Sequence, residues 1–370
     1  MTLSRYAVDP VTGFVPGSPP LRRLPASFGA WDSLVPELPS LIRSRRFRSA
    51  IRAMPQLGGA GALSAPERER AMMVLCAFAN AWVWGDEVPD LRIPRQLSVP
   101  LCELSAILER PPIAHYSTMT LANWQLLDDA APVSVDNART LVQFLGGVDE
   151  EWFFIASMGV ELAGAPLLPI AAAAVTASHH GADAELSVLL EQFAAGMDAV
   201  HVALSRIREW SDPHTYYLRV RPFLAGWPTP GVVYEGVSET PRRYIGGSAA
   251  QSSLIQLFDA LMRLSHPDAP SGSYLRAVRE YMPPLHRAFV TDTERDSRVR
   301  QRAVDGTARL RSAYNAALHQ IIAFRDAHMT LAHDFIVAPS GLPTDAKGTG
   351  GTSLASFLLA TRDTTAAAQI

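Results

Sequence analysis

From Ser64 onward, apolar residues recur at the three-to-four spacing of helices, not at the alternation of strands. Ser64-Ala65-Pro66-Glu67 reads as a helix start, with proline early and an acid in the first turn, and its pattern runs to about Trp84. A further helix is predicted from Pro100, with Leu101, Leu104, Ile107 and Leu108 on one side. Asp149-Glu150-Glu151 places negative charge where a helix N-terminus favours it, ahead of Phe153, Ser157 and Val160. The most apolar stretch, Ile155 to Ala177, contains Glu161, Pro166 and Pro169, which predicts a buried helix pair and argues against a membrane span. A long pattern follows from Ala182 to Trp210, apolar at Leu186, Leu189, Leu190, Phe193, Met197, Val200, Val202 and Leu204.

Pro222 to Gly236 is broken by Gly226-Trp227-Pro228 and Pro230-Gly231 and reads as loop. Ser252 to Leu264 is helical again, and Asp305-Gly306 precedes a final long helix. Period-two alternation is local, around Val232 to Tyr234. The predicted class is all-α. Residues 1–30, rich in proline and glycine, should form an extended arm over the surface or along a seam. The polar, proline-containing break from Asp128 to Val133 suggests a smaller N-terminal helical domain, residues 1–130, and a larger one, 131–370.

Composition narrows the partners. A chain of 370 residues with 48% apolar and 19% charged residues has ample material for a globular core. A net charge of -3, with no basic stripe carrying interleaved aromatics, argues against nucleic acid or an anionic membrane as partner. Two cysteines, Cys76 and Cys102, both within apolar helical patterns, exclude a disulfide framework and fit a reducing compartment. The first twenty residues lack the basic-then-apolar layout of a secretory signal, so the expected location is cytoplasmic.

Candidate chemistry concentrates in the final long helix. Its apolar positions are Leu310, Tyr314, Ala317, Leu318, Ile321, Ile322, Phe324, Leu331 and Phe335. At roughly 100° per residue, His328 falls on that inward stripe, His319 points to the opposite side and His333 is rotated by about 140°. A buried histidine can be hydrogen-bonded to a neighbour and nothing more; it can also ligate a metal or a haem iron. No Cys-x-x-Cys-His, His-Glu-x-x-His or Gly-x-Ser-x-Gly motif is present, and His179-His180 reads as a solvent-facing loop. The segment Lys347-Gly348-Thr349-Gly350-Gly351-Thr352 follows no strand, so its glycines fit mobility and close backbone approach better than phosphate binding.

Several collinear segments resemble one known family. They are Tyr116-Ser117-Thr118-Met119-Thr120-Leu121-Ala122-Asn123-Trp124, Phe153-Phe154-Ile155-Ala156-Ser157, Gly236 through Asp259 with Gly246-Gly247-Ser248-Ala249-Ala250-Gln251-Ser252-Ser253, Tyr281 through Arg287, Phe324-Arg325-Asp326-Ala327-His328, and Gly348 through Arg362. The resemblance is to the indoleamine 2,3-dioxygenases, haem enzymes of two helical domains, and is dense from Pro111 onward. It implies haem b, with His328 as proximal iron ligand, Arg325 near a propionate and Asp259 accepting the imidazole N–H. Gly247, Ser248 and Ala249 would line the haem face. Tyr116, Met119, Thr120, Phe153, Phe154, Ser157 and Tyr216 would form the substrate pocket.

By the same resemblance, Phe153 and Ser157 stand beside the reacting indole, Arg221 grips the carboxylate bidentately, with Arg219 a nearby competitor, and Thr349 holds the ammonium group under a closing loop. The reaction implied takes L-tryptophan to N-formylkynurenine with both atoms of O2 entering across the indole C2–C3 bond, and needs an electron donor to reduce the haem. Two departures bear on substrate choice. Tyr216 stands where the family usually has phenylalanine, and Met119 and Thr120 replace small or branched residues at the pocket's inner end. They leave open a modified tryptophan or another indole as substrate. A haem-binding or sensing protein without turnover is the reading from a different class.

Overall fold

The computed structural model describes residues 2–266, 270–341, 346–351 and 353–370; Thr352, at the end of the glycine-rich segment, lies outside them. Short helical turns (Gly29–Leu34, Leu38–Arg43, Phe47–Ala53) lead into α1 (Ala65–Trp84). The Ser64 N–H donates to Glu67 Oε2 at 2.7 Å, so the helix start read from sequence is a reciprocal cap. Every residue from Arg70 to Val83 is buried, which makes α1 a helix surrounded by others.

After β1 (Arg92–Ile93), α2 spans Arg95–Leu108 and begins one turn earlier than predicted, with Pro100 inside it. Burial of Leu97, Leu101 and Leu104 on one stripe outweighs the backbone hydrogen bond that Pro100 cannot donate. The strands β2 (Gln125–Leu126) and β3 (Ala138–Arg139) pair across the polar break at 128–133. Then come α3 (Val148–Gly164) and α4 (Leu167–His180), the predicted buried pair. Together they are the one stretch, among the described residues, long and apolar enough to cross a membrane, and 67% of its most apolar window is buried within the protein. His179 and His180 belong to the last turn of α4, not to a loop: the alanine-rich run favours helix up to Gly181, whose left-handed backbone ends it.

The chain continues through α5 (Asp183–Ser205), β4 (Val232–Tyr234), β5 (Ser238–Arg242), α6 (Ser253–Met262), α7 (Pro270–Arg279), α8 (Pro284–Asp296), α9 (Val299–Asp305), α10 (Ala308–Ala332) and α11 (Leu354–Ala366). β1, β4 and β5 form a small mixed sheet, with β4 central, parallel to β1 and antiparallel to β5. The fold is predominantly helical, and α10 packs along α5, which in turn packs on α3 and α4. The N-terminal arm is pinned by Tyr6, whose hydroxyl donates to Asp292 on α8 at 2.7 Å, and by Phe14 against His286. Of the positions read as apolar stripe, Val202 and Ile107 face solvent.

Three stretches depart from α geometry: Ser117–Leu121, Tyr216–Val220 and His333–Val337 are single turns of π-helix, each closed by an i to i+5 backbone hydrogen bond. Such turns are rare and cluster at functional sites. All three contribute to the wall of one cavity.

Candidate active site

That cavity lies between α3, α6, α10, α11 and the three π turns, and is lined mainly by apolar side chains. Along α3, Phe153, Ser157 and Glu161 are four residues apart and so share one face, with Val160 beside them. Phe153 lies 4.4 Å, centroid to centroid, from Tyr216 of the second π turn and 5.6 Å from Phe154. Tyr216 in turn meets Phe335 of the third π turn edge-on at 5.7 Å. The first π turn supplies Met119 and Thr120, with Tyr116 just before it. The Ser157 hydroxyl donates to the Phe153 carbonyl at 2.7 Å, the local bond a helical serine readily makes.

His328 projects from α10 into this space, with Phe324 one turn before it at 6.3 Å. Its ring makes no hydrogen bond among the described residues. Burial, and then the nearby Arg325 charge, lowers its pKa to about 4, so the imidazole is neutral near pH 7 and has a lone pair free for a Lewis acid. His319 and His333 are exposed, as the helical phase required. Among the described residues no cluster of three or more His, Cys, Asp or Glu side chains could hold a bare metal ion, so any metal at His328 would need its other ligands from elsewhere.

Beside His328 lies an ionic cluster. Arg325 donates to Asp259 Oδ1 and to the Thr361 carbonyl of α11, and His266 Nε2 is 2.8 Å from Asp259 Oδ2. Burial pushes the Asp259 carboxyl up, but the Arg325 guanidinium and His266 outweigh it and hold the pKa below the ordinary value. In this structure His328 makes no hydrogen bond to Asp259, whose two carboxylate oxygens instead meet Arg325 and His266. The Arg325 Nε has no partner among the described residues.

The glycine-serine segment forms another wall, with Gly247, Ser248 and Ala249 on the cavity. Gly246 is fixed by the protein itself, since a Cβ there would strike the Leu224 carbonyl and the Gly226 nitrogen. At Gly247 a Cβ would come no closer than 3.7 Å to any protein atom, so packing alone would accept alanine. The missing side chain matters to whatever fills the cavity. Above this wall the glycine-rich loop is docked: the Thr349 hydroxyl donates to the Gly247 carbonyl at 2.5 Å, and the Gly226 N–H donates to the Thr349 carbonyl at 3.2 Å.

Of the residues predicted from sequence, Arg221 stands apart, since it does not line the cavity; its Nη2 donates to the Lys347 carbonyl of the docked loop. Sequence reasoning missed Glu161, Ser252, His266 and Tyr274. Glu161, 2% exposed, accepts from Ser252 Oγ at 2.5 Å, and its position on the Phe153–Ser157 stripe was the available signal. It also missed α11, whose Leu354, Phe357, Leu358 and Thr361 repeat at helical spacing and close the cavity.

Two neutral imidazoles line the cavity: His328, and His115, which burial holds well below its ordinary pKa and whose Nδ1 is 2.8 Å from the Thr118 hydroxyl. A predominantly helical protein with the wholly unpartnered His328 imidazole facing a large apolar cavity, and a buried ionic cluster beside it, has the features of a porphyrin-iron site. The family model for Indoleamine 2,3-dioxygenase matches residues 2–368. The chain is 33% identical to Indoleamine 2,3-dioxygenase 1 of Rattus norvegicus over 98% of its length and 94% of the relative's. It is 34% identical to an indoleamine 2,3-dioxygenase of Aspergillus nanangensis, covering 98% of this chain and 96% of that one. With that of Saccharomyces cerevisiae it shares 30% identity over 91% of this chain and 81% of the relative. The chain belongs to the indoleamine 2,3-dioxygenase family and is a haem-containing dioxygenase of the oxidoreductase class.

Proposed function

We propose that the protein uses haem b to insert both atoms of O2 across the indole C2–C3 bond of L-tryptophan, giving N-formylkynurenine. The observation that carries this reading is His328: a neutral imidazole, unpartnered among the described residues, facing a cavity whose other wall is aromatic. When bound there, haem supplies the dioxygen chemistry; the chain binds, orients and excludes water. The bare wall of Gly247, Ser248 and Ala249 suits a flat macrocycle, and Arg325 has an unused Nε for a propionate. Asp259 acts through Arg325 by fixing its guanidinium. Phe153 would flank the indole with Ser157 behind it, among Tyr116, Met119, Thr120 and Phe154. Arg221 would exchange the Lys347 carbonyl for the substrate carboxylate as Thr349 meets the ammonium group.

In this reading residues 1–130 form a domain that covers the catalytic domain of 131–370, and an electron donor in the cytoplasm keeps the iron reduced. The test is to give reduced, haem-loaded protein L-tryptophan and isotopically labelled O2. A product carrying both labelled atoms is expected. Haem uptake with no product would shift the reading to a modified tryptophan or another indole, for which Tyr216 and Met119 in the cavity wall are the motive. Failure to take up haem would overturn both.

A further inference from the structure

Tyr216 and Arg221 are five residues apart, a spacing that an α-helix would splay by about 140°. They do not sit in an α-helix. The Arg221 N–H bonds to the Tyr216 carbonyl, closing the π turn, so the two residues stack one above the other. Two of their donors are unused. Tyr216 is 5% exposed and its hydroxyl has no hydrogen-bond partner among the described residues, and neither has the buried Arg221 Nε. The other end of the guanidinium is taken by the Lys347 carbonyl and lies over the Tyr217 ring at 5.3 Å.

The buried Arg221 Nε is costly to leave without a partner, and a hydroxyl near that guanidinium lies in a positive potential that favours an anion. Burial pushes the Tyr216 phenol up to about 12, with Arg221 pulling the other way, so it remains a donor at neutral pH. The group that satisfies both donors is a carboxylate, which accepts through two oxygens. Tyr216 is held where it can serve by Phe153 on one side and Phe335 on the other.

We infer that the Tyr216 hydroxyl is a second carboxylate donor beside Arg221, so that this π turn selects indoles bearing a free carboxylate over their decarboxylated amines. The inference rests on the proposed function and deepens it. Tyr216 sets specificity by touching the substrate's acid group, while its ring keeps the aromatic wall intact.

The test measures the affinity of ferric, haem-loaded protein for L-tryptophan, indole-3-propionate and tryptamine by calorimetry and by the shift of the haem absorption band, in wild type and Tyr216→Phe. The phenylalanine preserves the ring contacts, so the variant should fold. Loss of one hydrogen bond to a charged group should weaken both carboxylate ligands by about tenfold more than tryptamine. Equal weakening of all three, or none, overturns the inference and leaves the haem reading standing. A wild-type protein that takes up haem yet binds none of the three overturns both.

Discussion

Two buried carboxyl groups line the same cavity and meet opposite fates. Asp259, 6% exposed, sits between Arg325 and His266, and the Arg325 charge with the hydrogen bonds from both holds its pKa below the ordinary range against the pull of burial. Glu161, 2% exposed, has only the hydroxyls of Ser252 and Tyr116, and burial pushes it up to about 7. One region is an ion-paired floor beneath His328; the other is a region of hydroxyls with no cation among its partners. What separates them is charge compensation, since burial is nearly the same. The floor has its strongest polar demands met before any ligand arrives. Unpartnered polar atoms remain in both regions among the described residues: Arg325 Nε and His266 Nδ1 on the floor, and Glu161 Oε2, Arg221 Nε and the Tyr216 hydroxyl toward the substrate side.

The largest expected effect comes from removing the one group on the floor with nothing to hold. His328→Ala should abolish stable haem uptake, read as loss of the haem absorption band after reconstitution, while the circular dichroism of the haem-free chain is preserved. Normal uptake and turnover by that variant would refute the ligand assignment. Asp259→Ala should be next, because it strands the Arg325 guanidinium in the interior. Breaking a buried pair from one side costs about 3–5 kcal/mol, measurable by urea unfolding of the haem-free protein. A cost near that of a surface substitution would mean that water already screens the cluster.

Glu161 supplies the contrasting experiment. Its folded pKa is raised, so its contribution is fully present below the unfolded value near 4.5 and is lost as pH rises through about 7. Haem-free protein should lose roughly 3 kcal/mol of stability from this group between those limits. Glu161→Gln should therefore match wild type near pH 4.5 and exceed it near pH 8. If the two stay parallel across that window, Glu161 is ionised throughout and the contrast with Asp259 fails.

Sequence reading reached the two regions unequally, and for a physical reason. The His328 helix is regular, so 3.6-residue periodicity alone separated it from His319 and His333. The reciprocal cap at Ser64 and Glu67 was legible in the same way, because caps are local. The π turns were not, since Tyr216-Tyr217-Leu218-Arg219-Val220 carries no residue that distinguishes an i to i+5 bond from an i to i+4 bond. The floor was only half visible. Asp259 was placed there, but its partner His266 arrives because Arg263 takes a left-handed backbone that turns the chain back at the end of α6. That reversal by a non-glycine residue left no sequence signal, so the Asp259–His266 contact was not anticipated.

The smallest expected effect tests whether the docked loop belongs to the substrate side and moves independently of the floor. Thr349 makes one side-chain hydrogen bond, to the Gly247 carbonyl, and its backbone carbonyl is held separately by the Gly226 N–H. Thr349→Val keeps the shape and the backbone contact and removes only the hydroxyl, for an expected cost of about 0.5–1.5 kcal/mol to loop docking. Because opening the loop exposes little core, global unfolding should barely move, while backbone amide exchange near Gly226 should quicken by up to about tenfold. The floor substitutions should leave that exchange rate alone, since Arg325 and Asp259 make no hydrogen bond to the loop among the described residues. If Asp259→Ala quickens it as much as Thr349→Val does, the two regions are one cooperative unit and the division between them is not energetic.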